Sequence, residues 1–346
     1  MVARISADGL VKRYGEQPAL DGFDLEVERG TVFGLLGPNG AGKTTAVRAF
    51  ATLLRYDAGD ARVAGRDPST EPHEVRRRIG LSGQTPAVDE ILGGRQNLVL
   101  FGRLNRMSRR DAHRRADELL GRFGLTDAAE KQVKHYSGGM RRRLDLAVTL
   151  LLRPEVLFLD EPTTGLDPRN RTEVWEAVRS LAADGTTVLL TTQYLDEADQ
   201  LAGRVAVMEA GKVIADGTPD ELKREVGGDQ LEVVVEESAD EAAHLEQAHD
   251  AVARHSSGPP HVDREQRRVS APVDDRVAAM AGVLRDLQEH QVAIADIALR
   301  KPTLDDVFLR LTGHGAEIAT EPADGSAHGE AGWAHGEAGE SEGGDR

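Results

Sequence analysis

The 346-residue chain carries 43 Lys and Arg against 59 Asp and Glu, a formal net charge of −16, and no cysteine. Disulfide frameworks, thiol nucleophiles and Cys-ligated zinc are therefore excluded, and an acidic surface disfavours general nucleic-acid binding. No apolar run approaches the roughly 18 residues needed to cross a bilayer, and the first residues, MVARISADGLVKRYGE, lack the apolar stretch of a secretory signal; the expectation is a soluble, cytoplasmic chain of about two domains.

Residues 1–228 alternate short β-rich runs with helical patterns bounded by glycines, which indicates an α/β fold. Thr31–Leu36 is an early run of this kind. The segment Gly37-Pro38-Asn39-Gly40-Ala41-Gly42-Lys43-Thr44-Thr45 follows it and opens a helical stretch, the context that the GxxxxGK[ST] phosphate loop requires. Its glycines let successive N–H groups curl toward one oxyanion at a positive helix end. Lys43 offers a point charge to the β- and γ-phosphates, and Thr44 a ligand to Mg²⁺.

Strand signals disappear between Pro86 and Arg153. Leu119, Leu120 and Phe123, then Leu144, Ala147, Val148 and Leu151, fall on helix faces, which predicts a helical insert. Its basic residues, Arg109, Arg110, Arg114, Arg115 and Arg141–Arg143, read as solvated helix faces. The strand pattern returns as Val156–Leu159, a continuously apolar run of the kind covered on both faces of a parallel sheet. It ends in Asp160 and Glu161. Asp160 is placed to hold the metal, directly or through water, which leaves Glu161 free to polarise an attacking water.

A helix through Val174, Val178 and Leu181 and runs at Thr186–Leu190, Val205–Met208 and Lys212–Ile214 complete the α/β region. Beyond Gly227–Gly228, strands at Leu231–Val235, Arg267–Val273 and Val292–Leu299 alternate with helical spacing over Ala239–Ala253 and at Val277, Met280, Leu284 and Leu287. These, with a short helix through Leu304, Val307, Phe308 and Leu311, form a small α+β domain over 229–312. Residues 313–346 are Gly-, Ala- and acid-rich, the composition of a disordered tail.

These residues resemble the ATP-binding cassette (ABC) ATPases, across the whole α/β region. Beside the two Walker motifs, Tyr136-Ser137-Gly138-Gly139-Met140-Arg141 is similar to the family's LSGGQ signature. The resemblance implies a P-loop NTPase core with ATP and Mg²⁺ as ligands. It also implies a head-to-tail homodimer in which Ser137, Gly138, Gly139 and Met140 of one chain cover the nucleotide of the other. Gln84 is placed like the glutamine that senses Mg²⁺ and water, Asp167 in Gly165-Leu166-Asp167-Pro168 like the loop at the dimer seam, and Tyr14 like the aromatic that stacks on adenine. One departure stands out. Gln193 occupies the place of the family's γ-phosphate-contacting histidine; it can donate a hydrogen bond but carries no imidazolium charge, so slower turnover with more weight on Glu161 is expected.

Thr192-Gln193-Tyr194-Leu195 and Arg300–Phe308 narrow the resemblance to the ATPase subunits of daunorubicin/doxorubicin-resistance-type exporters. That implies two copies of a separate membrane permease as partner, a peripheral position on the cytoplasmic face of the membrane, and the runs Pro86–Leu98 and Arg106–Arg115 as part of the docking side. A soluble cassette ATPase of DNA repair or translation is the alternative. It is opposed by the single Walker A motif and by the absence of sustained heptads. A nucleotide-gated module with little hydrolysis is opposed by Glu161.

Overall fold

The computed structural model describes residues 3–83, 87–226, 229–237 and 241–312. The chain opens with β1 (Ala3–Tyr14) and β2 (Gln17–Glu28), then β3 (Val32–Leu36), α1 (Lys43–Phe50), β4 (Ala58–Val63), α2 (Pro72–Arg76) and β5 (Ile79–Ser82). Helices α3 (Gly94–Leu104), α4 (Arg109–Arg122) and α5 (Gly138–Thr149) follow without an intervening strand. The α/β alternation resumes with β6 (Val156–Asp160), α6 (Pro168–Ala183), β7 (Thr187–Thr192), α7 (Leu195–Leu201), β8 (Arg204–Glu209), β9 (Lys212–Gly217) and α8 (Pro219–Val226). The last elements are β10 (Asp229–Val235), α9 (Glu241–His255), β11 (His261–Asp263), β12 (Arg268–Val273), α10 (Arg276–Glu289), β13 (Ile294–Arg300) and α11 (Leu304–Thr312).

The central sheet has the order β5-β6-β7-β3-β8-β9, parallel except for the β8–β9 hairpin. Every residue of β3, β6 and β7 is buried, as a strand covered on both faces requires. Leu36 pairs with Thr192 and Asp160 with Thr191. The carboxyl ends of β3, β6 and β7 thus finish side by side, and open α/β sheets bind ligands outside that edge.

On one face of this sheet lies the antiparallel sheet β2-β1-β4 with α1. Phe50 joins the layers, its ring centroid 6.4 Å from that of Phe23 and 6.2 Å from that of Phe158. The other face is covered by the helices of the insert and by α6, through Leu119, Leu144, Ala147, Val174 and Val178. Helix α5 begins at Gly138, ahead of its apolar face at Leu144, because the Ser137 hydroxyl accepts the Met140 N–H at 3.2 Å and caps it.

Strands β10 to β13 form an antiparallel sheet ordered β11-β12-β10-β13, the split β-α-β arrangement. Alternation in β10 sends Leu231, Val233 and Val235 into a core with Leu245, Val252 and Val283 from α9 and α10. Helix α11 then returns to the α/β region: Leu304, Val307 and Phe308 are buried with Leu36, Leu195, Val207 and Leu222. No helix among the described residues is long and apolar enough to cross a membrane.

Candidate active site

The loop between β3 and α1 is shaped by glycine. Gly42 stands at the helix N-cap with φ 107° and supplies no side-chain cap, so the first N–H groups of α1 are left to whatever sits before them. A Cβ on Gly37 would come 2.5 Å from the Met208 carbonyl oxygen, and one on Gly42 would overlap the Ala19 carbonyl. Pro38, Asn39 and Gly40 are exposed, Gly37 and Ala41 buried, Thr44 and Thr45 half-buried. Lys43 is only 6% exposed. Its ammonium donates to the Gly37 carbonyl at 2.6 Å and the Pro38 carbonyl at 3.0 Å, which centres the charge in the curl of the loop. Burial lowers its pKa, and the neighbouring Glu161 and Asp160 carboxylates oppose that.

Asp160, at the end of β6, collects hydroxyls. Thr191 donates to its Oδ1 at 2.6 Å and Thr44 to the same oxygen at 3.3 Å. A hydroxyl and a carboxylate brought together at the mouth of a phosphate loop are the hard oxygen donors that Mg²⁺ accepts, phosphate oxygens and water completing its shell. The absence of a cluster of three or more His, Asp or Glu among the described residues is compatible with that chemistry, because two protein ligands suffice.

Glu161 has φ 50°, a left-handed conformation for a residue with a side chain. Such strain persists only where the surroundings over-determine it, at a cost of about 1–3 kcal/mol. Here its N–H is held by the Thr191 carbonyl at 3.0 Å, and its carboxylate accepts the Thr164 hydroxyl at 3.3 Å. Gln193 follows β7 directly and is half-buried. Because Leu36 and Thr192 are paired, it emerges beside the start of the phosphate loop.

Ser137 and Gly138 are exposed at the start of α5, Gly139 is buried and Met140 half-buried. Asp167 caps α6, accepting the Asn170 N–H at 2.9 Å, and that bond holds its carboxyl below the usual range. Among the described residues no hydrogen bond joins Ser137–Met140 to Gly37–Thr45, so one chain brings Lys43, Thr44, Asp160 and Glu161 together and leaves the signature apart. Tyr14 is 52% exposed with the Lys12 ammonium 5.7 Å from its ring centroid. Gln84 lies outside the described residues.

Three buried charged residues are not legible in the sequence. Arg142, expected on a wetted face, is 6% exposed and points inward. It lies 3.6 Å from Asp145, which is 3% exposed. The signal was an acid three residues along the same helix, between Leu144 and Leu146. Glu197 is 1% exposed, and burial raises its pKa against the Thr192, Thr163 and Trp175 side chains that face it. The Trp175 indole N–H donates to it at 3.3 Å. No local pattern announces that contact between α6 and α7.

Known proteins share this architecture. Residues 20–164 match the ABC transporter family, and residues 217–312 match the C-terminal domain of ATP-binding proteins of the DrrA1-3-like kind. The chain is 61% identical over 313 residues to the daunorubicin resistance ATP-binding protein DrrA2 of Streptomyces coeruleorubidus, covering 90% of this chain and 96% of that protein. It is 50% identical over 315 residues to the daunorubicin/doxorubicin resistance ATP-binding protein DrrA of Streptomyces peucetius, covering 90% and 93%. Among solved structures, cbiO1 from Clostridium perfringens, part of the ABC transporter complex cbiONQ, superposes with a TM-score of 0.60 at 28% identity, over 65% of this chain and 95% of that one. The chain belongs to the ABC transporter ATP-binding proteins, in the family of the daunorubicin/doxorubicin resistance subunits.

Proposed function

We propose that this ATP-hydrolysing subunit powers efflux of a drug or other hydrophobic compound through a separate membrane permease. Two copies of each are expected, with the ATPase on the cytoplasmic face. The convergence of Lys43, Thr44, Asp160 and Glu161 at one sheet edge carries the reading. Neither a DNA-repair nor a translation ATPase accounts for the match to the drug-resistance subunits over both halves of the chain.

In this scheme the amides of Gly37–Thr45 and the Lys43 ammonium bind the β- and γ-phosphates of ATP, and Tyr14 stacks on the adenine. Thr44 and Asp160, with Gln84, would hold Mg²⁺, which when bound offsets charge on the phosphate oxygens. Glu161 takes a proton from a water as its oxygen attacks the γ-phosphorus. The bond to the β-phosphate oxygen breaks and ADP leaves with that electron pair. Gln193 orients the water or the γ-phosphate as a neutral donor.

Ser137, Gly138, Gly139 and Met140 of a second chain, with its Asp167, cover the same nucleotide. Closure thus depends on the γ-phosphate, and only contacts that distinguish ATP from ADP can drive the opening and closing cycle. The test is reconstitution with the membrane partner in vesicles: ATP-dependent transport of an anthracycline is expected with the natural chain and none with Lys43→Met. Equal transport by the two would contradict the proposal.

A further inference from the structure

Helix α5 starts at the signature and passes beneath the end of the central sheet. One turn in, the Arg142 side chain reaches into the protein and meets main-chain oxygens of two separate segments. Its Nε donates to the Pro162 carbonyl at 2.8 Å and Nη1 to the Gly83 carbonyl at 2.7 Å. Nη2 lies 3.5 Å from the Asp160 carbonyl and 3.5 Å from that of Glu161. Asp145, on the same face of α5, completes the junction: it accepts the Ser82 hydroxyl at 2.6 Å and the Ala87 N–H at 2.8 Å. Two side chains thereby join the signature helix, the end of β5 with the start of the helical insert, and the turn that carries Glu161.

A buried ion pair is a poor way to gain stability, since desolvating two charges offsets their attraction and apolar side chains often serve as well. Burial lowers the Arg142 pKa, and the neighbouring carboxylates, Asp145 foremost, oppose that. What a guanidinium offers that an apolar residue cannot is several donors in one rigid fork, aimed at fixed carbonyls. Three of those carbonyls belong to Asp160, Glu161 and Pro162, on either side of and at the left-handed backbone of Glu161.

We propose that Arg142 and Asp145 form a positioning unit for hydrolysis, fixing the main chain at Glu161 to the helix whose first turn carries the signature. A shift of α5, whose N-terminal end faces the second nucleotide, is then transmitted to the base of its own site. This rests on the assignment of Glu161 as the base. The pair touches no reacting atom and acts through the geometry of the turn.

The test compares Arg142→Gln, Asp145→Asn, the double variant and Arg142→Lys in the full chain, reading melting temperature, affinity for a fluorescent ATP analogue, and kcat and KM for ATP. Each single charge removal leaves a buried partner unpaired and lowers the melting temperature. The double variant restores neutrality and most of that loss. It should bind nucleotide within about threefold of the natural chain yet turn over about a hundredfold more slowly, the scale expected of a small misplacement of a reacting group. Arg142→Lys keeps the charge without the fork and should lower kcat about tenfold with KM unchanged. Natural kcat in the folded double variant, or in Arg142→Lys, would reduce the pair to a structural role and overturn the proposal. Glu161→Gln is the control: if it hydrolyses ATP at the natural rate, the base assignment and the positioning unit fall together. If it is inactive while the paired variants keep full activity, only the positioning unit falls.

Discussion

Gly139 lies directly against the side chain of Asn170: a Cβ at Gly139 would overlap the Asn170 carboxamide. Asn170 stands in the first turn of α6, donating through its N–H to Asp167 at 2.9 Å. The signature and the first turn of α6, which Asp167 of the loop proposed for the dimer seam caps, therefore touch within one chain, and the smallness of Gly139 lets them do so. Gly139→Ala should displace α5 from α6 and lower ATP-driven pairing and turnover about tenfold or more. Asn170→Ala added to it removes the obstacle and should recover a large part of the loss. A double variant no better than Gly139→Ala would show that the glycine matters for another reason.

The buried Glu197 carboxyl gives a pH signature. Burial raises its pKa above the ordinary 4.5, so the folded chain binds this proton more tightly than the unfolded chain does. The stability it contributes is fully present below 4.5 and is lost as pH rises through the folded value. Glu197→Gln keeps the shape and the acceptor for Trp175 but removes the titration. Its stability should gain on that of the natural chain between about pH 5 and about pH 8, by on the order of 1 kcal/mol for each pH unit separating the folded from the unfolded titration. Denaturant titrations at the two pH values check this, and an equal difference at both would contradict it.

Gln193→His restores an imidazole beside the phosphate loop. The half-buried position after β7 accommodates a ring of similar reach, and the histidine can carry a charge that glutamine cannot. Turnover should stay within about twofold of the natural rate or rise above it. A collapse of kcat with nucleotide affinity unchanged would show that this site depends on the carboxamide itself.

The features legible in the sequence are those written in local chemistry. Gly37–Thr45 announces itself because the loop's function is performed by backbone that only such spacing of glycines permits. Asp160 and Glu161 stand out as carboxylates ending a wholly apolar run. The order of the central strands carries no such mark: β3 lies between β7 and β8, contacts more than a hundred residues away in sequence. Arg142 is not legible because a run of arginines resembles a wetted face, while here the middle one turns inward to carbonyls supplied by other elements. Glu161's left-handed backbone and the Trp175–Glu197 contact likewise arise from tertiary packing alone.

The most direct test of the shared, two-chain site is the mass of the full-length Glu161→Gln variant in solution with Mg²⁺ and either ATP or ADP. Blocking water activation should trap the triphosphate between Lys43 of one copy and the Ser137 end of the other, giving a dimer with ATP and a monomer with ADP. A chain that binds ATP yet stays monomeric, alone and with its membrane partner present, would contradict it.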